Sequence, residues 1–246
     1  MAHALHLVAE EVRSLYPSVD KVISETKKIF NKSPARVLKY KEMFPELPLP
    51  PKPIITRWGT WLEAASFYAK HFEQVKQVVD SLDPKDAASI GKMQSLYSDP
   101  KTMMDLAVVE TNYTFLPGHI TKLEDSKLAL NEAIGIAEEV TLQLSATKCV
   151  SADVIKTRLK TILQRNEGYQ MMKLILKAQS GEISDVTSLP QLTPSQIASL
   201  KYAPLTTCSV ERSFSSHKHL LTDRRQRLTP GNLEMLLVCK CYYNKN

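Results

Sequence analysis

The sequence predicts a mainly α-helical protein, and three observations carry that prediction. Only 7 glycines occur among 246 residues, while the good helix formers Leu, Ala, Lys and Glu are plentiful. Apolar residues recur at helical spacing along most of the chain. Finally, a hydroxyl residue followed by Pro, which caps and opens a helix, stands at Ser33-Pro34, Thr193-Pro194 and Thr229-Pro230. The length suits one large domain or two small ones, and 43% apolar with 24% charged residues is a globular composition.

Taken in order, Leu5, Val8, Val12 and Leu15 form one helical face. This helix starts with no capping residue, so further sequence is expected upstream. Pro17-Ser18 breaks the pattern, and Val19, Val22, Ile23, Ile29 and Phe30 make a second stripe. Ser33 and Pro34 start a third helix. Five prolines between Pro45 and Pro53 then forbid helix and favour an extended arm, in which "PIIT" reads as a short extended segment. From Trp58 one long helix is expected, striped by Trp58, Trp61, Leu62, Ala65, Tyr68, Phe72, Val75, Val79 and Leu82. Residues 84–146 read as helices broken at Pro100 and at Pro117-Gly118. "SADVIKTRLKTILQRNEGYQMMKLILKAQ" is an amphipathic pair interrupted near Gly168, and residues 179–192 read as a loop. The last helix carries Leu233, Leu236 and Leu237. With Phe214 and Leu221 this stripe must be buried, against the chain's own first helices or against a second chain. No internal repeat or low-complexity tract is present.

The net charge of +6 permits a nucleic-acid partner without demanding one. No run of 18 apolar residues occurs, so no membrane span is expected. The opening "MAHALHLVAEEVRSLY" lacks a basic n-region, and polar residues interrupt its apolar run; it is not a signal peptide. A reducing compartment follows, with Cys149, Cys208, Cys239 and Cys241 as free thiols. The pairs Cys239-x-Cys241 and His217-x-His219 do not match metal-ligand spacing, so no metal site is assigned.

The segment from Tyr202 to Lys240 sets one acid, Glu211, among Arg212, Lys218, Arg224, Arg225 and Arg227. "CSVERSFSSHKHLLTDRRQRLTPGNLEMLL" resembles the C-terminal dimerisation region of hAT-superfamily transposases. The matching residues are Glu211, Arg212, Phe214, Ser215, Arg224, Arg225, Leu228, Pro230, Asn232, Leu236 and Leu237. Gly231 departs from the pattern where the family often has Glu, at a cost of about 1 kcal/mol of helix propensity. "AHALHLVAEEV" resembles the family's C-x-x-H-x-L-N-L element through His3, Leu5 and Leu7, with His6 where Asn is usual. "TRWGTWLEAASFYA" resembles the segment entering the family's helical insertion, through Arg57 and Trp58.

The resemblance implies the C-terminal part of a ribonuclease H-like fold interrupted by a large all-helical insertion. Residues 1–58 would be partial core, 59–180 the insertion, and 181–246 the dimerisation region completing the core. Residues 1–58 and about 200–246 would pack together, and the missing sheet would leave an apolar face bare. Family catalysis uses two Asp and one Glu on a pair of divalent ions. Glu211 corresponds to the Glu, while both Asp residues would precede this sequence. Hence the chain is expected not to be an enzyme, to need no cofactor (Mg²⁺ only if catalytically competent), and to hold Glu211 as a vestigial acid.

Each candidate residue also has a plainer role. Glu211 can form an ion pair with a neighbouring Arg. Trp58 is a base-stacking residue by the resemblance, or a helix-start core residue beside Trp61 and Leu62. Arg224 and Arg225 can fork onto phosphate or face solvent and partner acids. The expected partners are a second copy or related hAT proteins, paired through Phe214, Leu221, Leu233, Leu236 and Leu237. DNA is the alternative partner, through Arg57, Trp58, Arg224 and Arg225. A further alternative is a DNA transposase fragment, active only with carboxylates from another chain. No membrane association is expected. The family implies a nuclear location, otherwise cytoplasmic; secretion is not expected.

Overall fold

The computed structural model describes residues 1–31, 33–54, 57–125, 127–182, 192–202 and 229–243. Among these residues the chain forms α-helices and one 3₁₀ turn, with no strand. The helices are α1 (Ala2–Leu15), α2 (Pro17–Phe30), α3 (Pro34–Met43), α4 (Trp58–Lys70), α5 (Phe72–Asp80), α6 (Ala88–Ser98) and α7 (Pro100–Tyr113). They continue as α8 (Leu116–Leu123), α9 (Leu130–Ala146), α10 (Ala152–Arg165), α11 (Glu167–Gln179) and α12 (Pro194–Ser199). A 3₁₀ turn (Leu200–Tyr202) follows α12, and the last helix is α13 (Pro230–Tyr243).

The stripes seen in the first helices and in α4 are inner faces. Leu5, Val8 and Val12 of α1 are buried where that helix meets α4, α8 and α10. Val19, Val22, Ile23, Ile29 and Phe30 of α2 are buried where it meets α6 and α7. Helix α4 lies at the centre, touching α1, α2, α5, α7 and α8, and its Trp61, Leu62, Ala65 and Tyr68 are all buried. The apolar face expected to be left bare by the missing sheet is not found on α1 or α2 among the described residues. The helices after residue 58 cover the stripes of α1 and α2, because an apolar stripe packs as well on helices as on a sheet.

Several boundaries differ from the sequence expectation. The long helix from Trp58 is two helices meeting at His71, whose φ of −116° and ψ of 29° leave the helical region. The hydrogen bonds His71 N–H to Phe67 O and Val75 N–H to His71 O, both 3.0 Å, carry the chain through the bend. Tyr68, Val75 and Val79 stay buried on both sides of it, so periodicity alone does not reveal a kink. The break expected near Gly168 falls at Asn166. The Asn166 side chain accepts from the Tyr169 N–H at 3.0 Å and caps α11, which places Gly168 in the first turn. Likewise Pro117 lies inside the first turn of α8, and the break precedes it at Thr114 and Phe115. Ser33 occupies the cap position of α3 without a side-chain cap bond. The "PIIT" stretch shows no strand at Pro53 and Ile54. The Ile54 N–H donates to Thr60 Oγ1 at 2.9 Å and ties the arm to α4, while Ile55 and Thr56 lie outside the described residues.

Candidate interaction surface

The terminal region begins with a reciprocal cap. The Gln196 N–H donates to Thr193 Oγ1 at 3.2 Å, and the Thr193 N–H donates to Gln196 Oε1 at 2.8 Å. This starts α12, whose six residues would not hold a helix alone. Packing supplies the rest: Leu192, Ile197 and Leu200 rest on Leu130, Ile134 and Ile175 of α9 and α11. Gln179 Nε2 also donates to Ile197 O at 2.6 Å. Beyond this seat the chain turns to solvent at Tyr202, which is 77% exposed.

Helix α13 starts the same way: the Asn232 N–H reaches Thr229 Oγ1 at 3.4 Å and the Leu233 N–H donates to Thr229 O at 3.0 Å. Its surroundings differ. Leu233 is half-buried and Leu236 is 40% exposed, while Met235 and Val238 are more exposed still. The sequence from Leu233 to Cys239 holds six apolar residues and one acid, Glu234. An amphipathic surface helix keeps a polar face; a helix apolar nearly all round is normally covered on most sides. Here the apolar side chains stand in water, and that mismatch makes α13 a candidate interaction surface. Leu237 lies on this helix, but its side chain falls outside the described residues.

Five candidates fall outside the described residues altogether: Glu211, Phe214, Leu221, Arg224 and Arg225. His217, His219 and Cys208 lie there too. Among the described residues no group of three or more His, Cys, Asp or Glu could hold a metal ion.

The other candidate pair, Arg57 and Trp58, sits where the arm enters α4. Arg57 is exposed, and its backbone N–H donates to Ile54 O at 2.9 Å. Trp58 is half-buried against the main core. The Arg13 guanidinium lies over its ring, 4.9 Å from the centroid. Arg13 in turn forms a two-point pair with Asp20, at 2.6 and 3.1 Å. The buried Trp61 donates its indole N–H to the same Asp20 at 3.0 Å. One carboxylate therefore holds both tryptophans, one directly and one through Arg13. Sequence reading did not single out Arg13 or use Asp20 in this way. The usable signal is Pro17: read as an elbow between two helices, it brings residues seven apart to the same corner.

A second buried polar group joins distant parts of the chain. The Tyr16 and Tyr113 hydroxyls each lie 2.6 Å from Ser151 Oγ, and Cys149 Sγ lies 3.2 Å from the Tyr113 hydroxyl. Burial pushes both tyrosines above the ordinary tyrosine range. The cluster is internally satisfied and ties the junction of α1 and α2 to α7 and to the start of α10.

Comparison with known proteins finds one match. Residues 200–241 match the model of the hAT family C-terminal dimerisation region, which supports an hAT-family protein with a dimerisation role. No curated protein and no solved structure matches the chain. The matched span begins at the 3₁₀ turn seated on α9 and α11 and ends inside α13.

Proposed function

We propose that this chain is a transposase-derived interaction protein that pairs with a second copy, or with a related hAT protein, through α13 and the segment leading to it. One observation carries the reading: a helix apolar on nearly all sides stands exposed inside the span that matches the dimerisation region. Leu233, Leu236 and Leu237 supply the contact stripe in this reading, with Phe214 and Leu221 from the preceding segment. Burial of apolar surface contributes roughly 25 cal/mol per Å², so a paired helix of this length gains several kcal/mol before entropy is charged.

In the same reading Glu211 keeps the family position of a catalytic acid and forms ion pairs with its arginine neighbours. Pairing, not strand transfer, is the activity. Residues 1–58 and 181–246 act as the two ends of one split, ribonuclease H-like core, with 59–180 as its insertion. That assignment rests on the order of the motifs in the sequence, and a nuclear location rests on the family resemblance alone.

The test is mass by light scattering on the purified chain, over a concentration series and at two salt levels. A mass of two chains that falls only on dilution supports the reading. A single-chain mass at every concentration overturns self-association. Oligonucleotide binding that weakens steeply with salt, lost on Trp58→Ala, would favour the nucleic-acid alternative. Metal-dependent strand cleavage would overturn the non-catalytic assignment.

A further inference from the structure

Helices α9 and α11 run side by side, and their two ends are treated differently. At one end, Leu130 and Ile134 of α9 and Ile175 of α11 are covered by α12 and the 3₁₀ turn. At the other end the same pair, joined by α10, encloses an open groove of about 580 Å³. That volume lies within the range of sites that take a specific guest.

The floor of the groove is apolar. Leu144, Leu159 and Tyr169 are buried there, and Leu142 stands on the lip with 71% of its surface exposed. The rim is basic. Lys156, Lys160 and Lys173 line it against a single acid, Glu138. Lys173 lies 3.2 Å from Glu138, and Lys156 donates to Thr147 O at 3.0 Å and lies 3.8 Å from Asp153, outside the groove lining. Lys160 is exposed and has no ion-pair partner among the described residues. The lining on α10 runs from Lys156 to Gln164, about 12 Å at 1.5 Å per residue, which is a little over two helical turns.

We propose that this groove docks an acidic amphipathic helix of a partner protein. The apolar floor fits side chains spaced i, i+3/i+4 and i+7, and the lysine rim fits carboxylates flanking them. The same helix pair already demonstrates the mode, since α12 and the 3₁₀ turn lay Ile197 and Leu200 over its other end. Nucleic acid fits the groove less well. No described lining residue is an arginine, and the aromatic ring, Tyr169, is buried with Lys173 Nζ 5.8 Å from its centroid. Single strands need exposed stacking faces and favour arginine forks.

The test uses the full chain and a fluorescein-labelled helical peptide of about four turns, with leucines at i, i+4 and i+7 and glutamates beside them. A control peptide carries lysine in place of each glutamate. Fluorescence anisotropy should show saturable binding of the acidic peptide and little binding of the control. Lys160→Glu combined with Lys173→Glu should weaken it about tenfold or more, and should now favour the basic control. Leu142→Asp should weaken it comparably. All three positions reach the surface, and unchanged helicity and melting would show that these variants fold. Leu236→Asp in α13 should leave peptide binding unchanged, which separates the groove from self-association. Equal binding of both peptides, or an unaffected lysine variant, would overturn the proposal. So would tighter binding of a single-stranded oligonucleotide of equal charge that Leu142→Asp does not change; that outcome would assign the groove to nucleic acid.

Discussion

Leu62 in α4 and Leu236 in α13 are the same side chain on the same kind of element. Leu62 is fully buried, whereas Leu236 is 40% exposed. Neighbouring helices make the difference. Helix α4 has partners around it and so can carry Trp61, Leu62, Ala65 and Tyr68 without exposing them. Helix α13 is of similar apolar character, yet Met235, Leu236 and Val238 meet solvent. A helix is apolar all round either because its own chain covers it or because another chain does. The bundle is the first case, and the end of the chain is proposed as the second.

That contrast can be broken or sharpened by measurement. The largest effect on stability is expected from Leu62→Ala, which opens a cavity at the centre of the bundle and should cost about 2–5 kcal/mol in thermal or urea unfolding. Leu236→Ala, measured on dilute protein, should cost less than about 0.5 kcal/mol. Equal losses would show that α13 belongs to the same core, and the contrast would fail. Leu236→Asp with Val238→Asp should weaken self-association by about tenfold or more while leaving the dilute melt in place, as read by light scattering.

Next in size is Asp20→Ala. It leaves the Trp61 indole N–H without its acceptor and releases Arg13 from beside Trp58. A loss of about 1–3 kcal/mol is expected, together with a change in tryptophan fluorescence. Thr193→Ala removes one half of the cap on α12 and should cost about 1 kcal/mol. Hydrogen exchange should show that loss confined to α12 and the turn after it.

A pH effect sharpens the bundle side alone. Burial pushes the Tyr40 hydroxyl, which donates to Pro48 O at 2.9 Å, up from 10.0 to about 12. The unfolded chain then gives up this proton first. Its contribution is fully present below about pH 10 and is lost as pH rises toward 12. Tyr68, Tyr97 and Tyr113 are raised in the same direction, also mainly by burial. Unfolding free energy should therefore fall across this window, and Tyr40→Phe should make the fall shallower.

Much of this was legible in the sequence, and the misses share a cause. Helical stripes, the Thr193-Pro194 and Thr229-Pro230 starts and the break before Pro100 depend on spacing and capping within a few residues. The His71 bend was not legible, because a kink preserves the buried stripe on both sides of it. The break near Gly168 was legible, but the side chain that makes the cap, Asn166, was not singled out. The resemblance drew notice to Trp58. The carboxylate that organises it lies 38 residues earlier, at a corner created by packing.

By itself, then, the sequence determined a helical chain with its starts, its inner faces and a terminal helix too apolar to stand alone. Those properties follow from local backbone preference and from a period of 3.6 residues, both of which are written along the chain. The tertiary structure alone decided which stripe covers which. It placed α4 at the centre, closed the first helices with later ones, seated α12 on one end of α9 and α11, and left their other end open. Those choices depend on side chains far apart in sequence meeting at close-packed density, and a one-dimensional pattern does not contain them.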